Sequence, residues 1–494
     1  MSKLNIDPTM HAHKSSRHSG SLSLALMLAF VLMGCATGGD IGFPGLGPPK
    51  VGTQSADVSE AFRDVPPPPV GDTAEWWGRF SDPVLNALVR DALTESLSVQ
   101  IANQRLVEAR STGRATIAGF APRVNASIST DTTNVLEGSN PSNATGGAED
   151  GQTTQISALR SSWEVPLFGR VSSALAGSRA GVAGAKADVE AAKIAVIGDI
   201  AAGYVDLRNA QVSVAYLQED LMRAERLSAI AIARSNVGLI SRVEASQAQT
   251  QASAVRARVP DAILRMRAAL DRLAILRGVM PGSLDERLAP IDNFVFASDT
   301  PNIDAVPANY IRRRLDVIRA EQNAILAAAQ VGVSRADLYP SVSVTGSITS
   351  LVSLAGGAMG GTFTSGRVSP AIDIPLFAFG QRRAALTTSN ARFQQALLQY
   401  RATTLGAIAE GQSALTNYGQ SQIRVEASLA AESAAQVRQT ASEAAYRAGL
   451  LSFKERLESE RDFASARQSR LSSQAQLSDA AIGLYRTFAG SPGL

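Results

Sequence analysis

The sequence reads Val-Pro-Leu-Phe-Gly-Arg at residues 165–170 and Ile-Pro-Leu-Phe-Ala-Phe-Gly-Gln-Arg at residues 374–382. A second matching pair follows these stretches, Gly-Leu-Ile-Ser at 238–241 and Gly-Leu-Leu-Ser at 449–452. The two offsets nearly agree, at 209 residues (375 − 166) and 211 residues (449 − 238). Because the units of solenoid proteins span about 20–50 residues, this longer spacing predicts a duplicated half-protein with internal pseudo-symmetry.

The composition excludes several classes of enzyme. All three histidines lie within residues 1–18, and Cys35 is the only cysteine among the 494 residues. A chain cleaved before Cys35 would lack Ser-His triads, Cys-His pairs and zinc sites with nitrogen ligands. We therefore predict no catalytic residue, no metal and no cofactor. A formal net charge of +3 is also too small an excess to indicate a nucleic acid partner.

The N-terminus has the pattern of a signal peptide. A basic start leads into an apolar run at residues 21–33, which is too short to span a bilayer as a mature helix. The run ends in Leu-Met-Gly-Cys, which resembles a bacterial lipobox and implies cleavage after residue 34 and lipidation of Cys35. The alternative is an ordinary signal peptide with an incidental cysteine. The Gly- and Pro-rich residues 35–72 then predict a tether from the lipid anchor to the folded body.

Long helices are predicted in both halves. Apolar residues recur every seven positions along a proline-free stretch that starts at residue 171, which is typical of coiled-coil helices. We predict helices within residues 171–277, with a turn at Gly238 and an interruption at Pro260. Residues 382–488 repeat this design, and a shorter helical stretch opens each half, at 82–116 and 306–336.

Each half also holds one predicted strand hairpin, within residues about 122–164 and 340–373. Residues 341–348 alternate between apolar and small polar side chains, and flexible loops are predicted at 138–151 and 355–361. Four strands cannot close a barrel, and a membrane does not tolerate an open sheet edge. Other copies of the chain must therefore complete the barrel, and a dimer and a trimer both remain open at this point.

Three stretches resemble a known family. They are Trp-Glu-Val-Pro-Leu-Phe-Gly-Arg at 163–170, Asn-Tyr-Ile-Arg-Arg-Arg-Leu-Asp-Val-Ile-Arg-Ala-Glu at 309–321, and Val-Gly-Val-Ser-Arg-Ala-Asp-Leu-Tyr-Pro at 331–340. They are similar to motifs of the TolC-like outer membrane factors, in the NodT-type branch of efflux lipoproteins. The similarity runs from about residue 76 to residue 485. Pro166 and Leu315 depart from the Asp and Pro that the family has at these positions.

The resemblance implies a fold class and a function. The fold is α+β: a homotrimer with one twelve-stranded outer-membrane barrel, a long periplasmic helical barrel and an equatorial domain. Residues 73–298 and 299–494 would be the two repeats. The implied function is the passive exit duct for small molecules such as drugs, supplied by a periplasmic adaptor and an inner-membrane RND-type pump. The alternatives are a duct for type I protein secretion and a coiled-coil envelope lipoprotein that forms no channel.

The family also implies a gate at the periplasmic end, where its acidic residues follow the second Gly turn. The positional matches are Glu455 and Glu458, on one helical face at i and i+3. Three copies would form acidic rings that favour cations. Leu450 and Leu451 add an apolar collar to this predicted gate. The alternative is that both acids are solvated surface residues, with Glu458 paired to Arg461.

The turns themselves predict a contact with the adaptor. Repeat equivalence and the exposed backbone of a turn favour the first-half turn, residues 237–244, as the surface for the adaptor's tip; simple reversal of the helices is the alternative. The predicted contact residues are Gly238, Leu239, Ser241, Glu244, Gly449 and Ser452.

Overall fold

The structure is a computed structural model that describes residues 73–80, 82–133, 152–290, 308–355, 358–377 and 380–488. The predicted signal peptide, Cys35, the tether and the loop at 138–151 lie outside the described residues.

A 3-10 helix at Thr73–Phe80 precedes the helices and strands. The first half contains α1 (Pro83–Glu95), α2 (Leu97–Ala118), β1 (Arg123–Thr133), β2 (Gln152–Val165), α3 (Arg170–Asn236) and α4 (Arg242–Arg277). The second half contains α5 (Ala308–Arg313), α6 (Leu315–Ala336), β3 (Ser341–Ala355), β4 (Ala358–Asp373), α7 (Gln381–Arg447) and α8 (Phe453–Phe488).

The two halves repeat each other in order and in length. Helices α3 and α7 both have 67 residues, and α4 and α8 both have 36. At a rise of 1.5 Å per residue the longer pair extends about 100 Å. The predicted duplication and the predicted α+β class are confirmed. The predicted interruption at Pro260 is wrong, because α4 continues through this residue as one helix.

The short helical stretch that opens each half is broken in two, which the sequence prediction missed. Ser96 separates α1 from α2 with ψ 128°, and Arg314 separates α5 from α6 with ψ 133°. These values lie far outside the helical range, so each residue turns the chain. The two breaks are 218 residues apart (314 − 96), so the bend belongs to the duplicated design.

The repeated Pro-Leu-Phe stretches lie where a strand passes into a long helix. Gly169 and Gly380 precede α3 and α7 with φ of 76° and 80°, a left-handed conformation that glycine adopts without a Cβ clash. The arginines that follow meet at Asp337: Nη1 of Arg170 lies 3.1 Å from its carboxylate, and Nη1 of Arg382 donates to its carbonyl oxygen at 2.6 Å. The motifs at 163–170, 331–340 and 374–382 therefore form one junction below the sheet.

The strands form one antiparallel sheet in the order β1-β2-β3-β4. Strands β2 and β3 pair across the boundary between the halves, and β1 and β4 remain as the outer edges. The outer bounds of the two hairpins, residues 123–165 and 341–373, lie within one residue of the predicted ones, whereas β4 begins four residues earlier than predicted. The second loop is shorter than predicted, because Ala355 pairs with Ala358. Among the described helices, none has a stretch long and apolar enough to cross a bilayer.

The largest core lies about midway along α3, where the 3-10 helix and α1 pack against α3, α4 and α8. Trp76 stacks on Tyr485 with ring centroids 5.0 Å apart, and Leu88, Leu207 and Leu273 are fully buried beside them. This packing widens the molecule at mid-height, between the strands at one end of the long helices and the Gly turns at the other.

Candidate functional site at the two helical tips

The two tips, residues 234–246 and 445–457, are built in the same way. Gly238 and Gly449 follow α3 and α7 with φ of 75° and 76°. The next amide in each turn, that of Leu239 or Leu450, donates at 2.9 Å to a carbonyl five residues earlier. This is the Schellman arrangement, in which glycine takes the left-handed position after a helix. Both helices turn at the glycines predicted from the sequence.

A capping box starts each returning helix. The Ser241 hydroxyl accepts from the Glu244 amide at 3.1 Å, and the Glu244 carboxylate accepts from the Ser241 amide at 2.9 Å. Ser452 and Glu455 repeat these bonds at 3.2 and 2.9 Å. Each box satisfies two amides that the first turn of a helix leaves unpaired. Glu455, predicted as a gate residue, therefore also caps its own helix; the Ser-x-x-Glu spacing could have indicated this from the sequence.

The capping bonds also fix the charge of Glu455. Hydrogen bonds from the hydroxyl and then the amide of Ser452 hold the pKa of the Glu455 carboxyl below its usual range. The side chain is exposed, so its charge faces solvent in the single chain. Three copies would thus present three ionised carboxylates at this level.

Glu458 lies one turn further along α8 and is also exposed. Its carboxylate is 3.9 Å from Nζ of Lys454, whereas Arg461 pairs with Asp462 at 3.7 Å. The alternative pairing of Glu458 with Arg461 is not formed. Glu458 lines a cleft of about 590 Å³ between α4 and α8, together with Arg242 of the first tip. The structure brings Glu455 and Glu458 to the same end of the chain as the predicted adaptor residues.

Apolar side chains are exposed at both tips. Leu239 is 70% exposed and Leu450 81%, whereas Leu451 is half-buried. An exposed leucine at the end of a long helical pair is an apolar surface that a partner or a neighbouring copy can cover.

Tyr446 joins the two tips, and the sequence analysis did not find it. The guanidinium carbons of Arg234 and Arg456 lie 5.1 and 5.0 Å from the centre of its ring, and Arg234 also donates to its hydroxyl. Phe453 packs its ring against Tyr446 at 5.8 Å. The only signal in the sequence is a departure between the copies, because the position 211 residues before Tyr446 is Ser235.

Known proteins are similar to this chain over most of its length. The model of the outer membrane efflux protein family matches residues 88–279 and 306–490. The chain belongs to the outer membrane efflux protein family. Nodulation protein T of Rhizobium leguminosarum bv. viciae is 30% identical over 404 residues, which cover 81% of this chain and 78% of that protein.

Two further relatives extend the match. The probable efflux pump outer membrane protein TtgC of Pseudomonas putida is 26% identical over 481 residues, covering 95% of each chain. The solved structure of the outer-membrane channel OprN superposes with a TM-score of 0.73 and 27% identity, over 84% of this chain and 92% of that one.

These matches confirm the predicted family and its NodT-type efflux branch. The family and the fold are those of channel proteins, and this family member is an outer-membrane exit duct of an efflux system. Channels with this fold are trimers that work with efflux pump partners.

Proposed function

We propose that three copies of this chain form a lipid-anchored duct that releases small toxic molecules through the outer membrane. A periplasmic adaptor and an RND-type inner-membrane pump would deliver the molecules, and Cys35 would carry the lipid. The observation that carries the proposal is the four-stranded sheet with two unpaired edges, continued by helices of about 100 Å. Three such sheets supply twelve strands and leave no edge.

The names of relatives support small molecules as the cargo. Relatives in Pseudomonas putida that are 26% identical over 95% of this chain are called an antibiotic efflux pump outer membrane protein and a toluene efflux pump outer membrane protein. The absence of histidine from residues 19–494 fits a passive duct.

The second tip is proposed as the gate. Glu455 and Glu458 would form two acidic rings, with Leu450 and Leu451 as an apolar collar beside them. The adaptor would contact the turns through Gly238, Leu239, Ser241, Glu244, Gly449 and Ser452. Support comes from the shared location of these residues at one end of the chain and from the exposed leucines.

Single-channel recording in planar bilayers tests the gate. The variant Glu455→Gln plus Glu458→Gln should show higher conductance or weaker cation preference, because it removes six negative charges from the trimer. Glutamine at position 455 keeps a capping side chain, so helix fraying does not confuse the result. Glu244→Gln, at the equivalent cap of the first tip, is the matched control and should leave both quantities unchanged. Equal conductance and selectivity in wild type and the double variant would remove the gate proposal.

The anchor and the assembly have separate tests. Cys35→Ser should abolish incorporation of labelled palmitate; unchanged labelling would contradict lipidation at this residue. The protein purified in detergent should have a protein mass of three chains by light scattering. A stable monomer would be incompatible with a closed barrel built from four strands per chain.

A further inference from the structure

All the charged side chains of the described strands lie on one face of the sheet. The cross-strand register places them there, because directly paired residues share a face and the side chains of a strand alternate. These six residues are Arg123, Asp131, Arg160, Glu164, Arg367 and Asp373.

The opposite face is apolar and exposed in the single chain. Six of its large side chains are 45–73% exposed: Val124, Ile128, Leu159, Ile348, Val368 and Ile372. In a membrane barrel the apolar face meets lipid and the polar face lines the lumen. The charged face therefore lines the lumen.

At the helical end of the sheet the two acids, Glu164 and Asp373, are paired. Glu164 lies 3.2 Å from Arg170, and Asp373 lies 3.6 Å from Arg382. Arg123 points toward the end of α2, where its Nη2 would lie 4.0 Å from a Cβ placed on Gly119. The two acid–arginine pairs therefore add little net charge to the lower part of the barrel.

Two arginines remain at mid-height. Arg160 pairs in register with Ser347, and Ser347 pairs with Arg367, so only one small residue separates them across the sheet. Both side chains are exposed, and within the described residues neither forms an ion pair or a hydrogen bond. Arg160 lies five residues before Val165, about 17 Å up the strand at ~3.3 Å per residue.

The neighbouring positions on the same face are uncharged, and Asn125 of β1 pairs directly with Arg160. Asp131, the remaining acid, pairs with Thr154. Thr154 lies six residues before Arg160 in β2, which places it about 20 Å further from the helical end of the sheet. Between them lies the apolar cross-strand row of Ile156, Leu351 and Phe363. No acid of the described strands therefore neutralises Arg160 and Arg367 at their own level.

We propose that Arg160 and Arg367 form an anion-binding collar in the lumen of the outer-membrane barrel, which recruits solutes that carry carboxylate or phosphate groups. The collar rests on the proposed trimer, which would place six guanidinium groups at one height. Guanidinium groups bind carboxylate and phosphate oxygens in pairs, and arginine rings favour anions in pores. The surrounding lipid and protein wall focuses the field of these charges into the lumen.

The collar has the opposite sign to the proposed gate. A solute that leaves the acidic tip would meet a basic zone about 100 Å further on, inside the membrane. Selectivity at the exit is then set by this chain and not only by the pump.

Block of single-channel current by inorganic tripolyphosphate tests the collar. The probe is added to the compartment that faces the barrel, so that it reaches the collar without passing the tip. Arg160→Gln plus Arg367→Gln should raise the half-blocking concentration roughly tenfold, since charge-assisted contacts to the anion are lost. Arg123→Gln, which removes the same charge from the same face near α2, should change it by less than about twofold.

Block should also weaken as salt is raised, because the collar is open to solvent. Equal block of wild type and the double variant would overturn the collar, as would block only from the tip side. Because glutamine replaces exposed side chains, the variants should keep the wild-type trimer mass and thermal midpoint, and these measurements show that they fold. A wild-type protein that conducts no current would instead contradict the proposed duct.

Discussion

Nη2 of Arg467 lies 2.8 Å from Oδ1 of Asp220 and so joins the last helix of the second half to the first long helix of the first half. The same guanidinium contacts Glu219 at 2.8 Å and stands 4.0 Å from the centre of the Tyr216 ring. The Arg467 side chain is only 10% exposed and that of Asp220 14%. Burial raises the pKa of the Asp220 carboxyl, and Arg467 opposes this shift.

Replacing Arg467 with alanine should destabilise the protein by about 3–5 kcal/mol, because it leaves the buried Asp220 carboxylate without its main partner. The decrease in the midpoint of thermal unfolding should be smaller at acidic pH, where protonation removes the unpaired charge. Circular dichroism at two pH values checks both statements.

The control for this ion pair is Arg461→Ala, six residues nearer the tip on the same helix. The Arg461 side chain is 63% exposed and pairs with Asp462 at 3.7 Å, so its loss should cost less than about 1 kcal/mol. Equal losses of stability in the two variants would contradict a stabilising buried ion pair between Arg467 and Asp220.

Tyr446→Phe should raise the single-channel conductance. The change removes the hydroxyl that accepts from Arg234, and with it one polar link between α3 and α7 at the tips. The ring is kept, so its contacts with Phe453 and the two guanidinium groups persist. The free energy of unfolding should therefore change by no more than about 1 kcal/mol. A conductance equal to that of wild type would show that this bond does not hold the tips together.

Gly449→Ala should destabilise the second tip by about 1–2 kcal/mol, the usual cost of a left-handed conformation for a residue with a Cβ. A Cβ at this position meets no atom within 4 Å, so the cost comes from the backbone alone. Gly419→Ala, inside α7 and equally open in the single chain, should be neutral or stabilising because alanine favours helices. Hydrogen exchange measures this difference: the tip amides should exchange faster than in wild type in Gly449→Ala, but not in Gly419→Ala.

Asp479 predicts a pH dependence of stability. Burial, and then the charge of Asp206, raise the pKa of its carboxyl from 3.8 to about 7, with Arg272 acting against them. The native state therefore holds this proton more tightly than the unfolded chain does. The free energy of unfolding should fall as pH rises from about 4 to about 7.

Asp479→Asn should remove this part of the pH dependence. The variant should lose less stability than wild type between pH 5 and pH 8 in urea titrations. Asp462→Asn, an acid on the same helix that pairs with Arg438 and Arg461, should leave the wild-type slope in place. An unchanged slope in Asp479→Asn would contradict the raised pKa.

Much of the fold follows from local patterns in the sequence. A heptad repeat, a glycine turn or a strand of alternating polarity involves only a few neighbouring residues. Such patterns predicted α3, α7, the hairpins and both tips. The bends at Ser96 and Arg314 carry no glycine or proline at the break. The bend at Ser96 accompanies the packing of α1 into the mid-height core, and the bend at Arg314 accompanies the burial of Ile311 against α7 and α8. No local pattern encodes such packing.

The contacts of the candidate site are likewise of two kinds, local and long-range in sequence. The capping function of Glu455 is local, since its partner Ser452 is three residues away. The contacts of Tyr446 with Arg234 and of Arg467 with Asp220 span more than 200 residues. Their register depends on how two 67-residue helices lie against their partners, and single-sequence reasoning has no measure of that register.

The internal duplication has a further consequence, because one covalent chain carries two similar halves, so a trimer contains three units where separate halves would give six. A six-fold ring of identical halves would have to repeat every side chain six times around its axis. With the halves covalently linked, a substitution enters the ring three times, in alternate positions. The second tip can therefore carry Tyr446 and Glu458 where the first has Ser235 and Gln247, although the two tips share one shape.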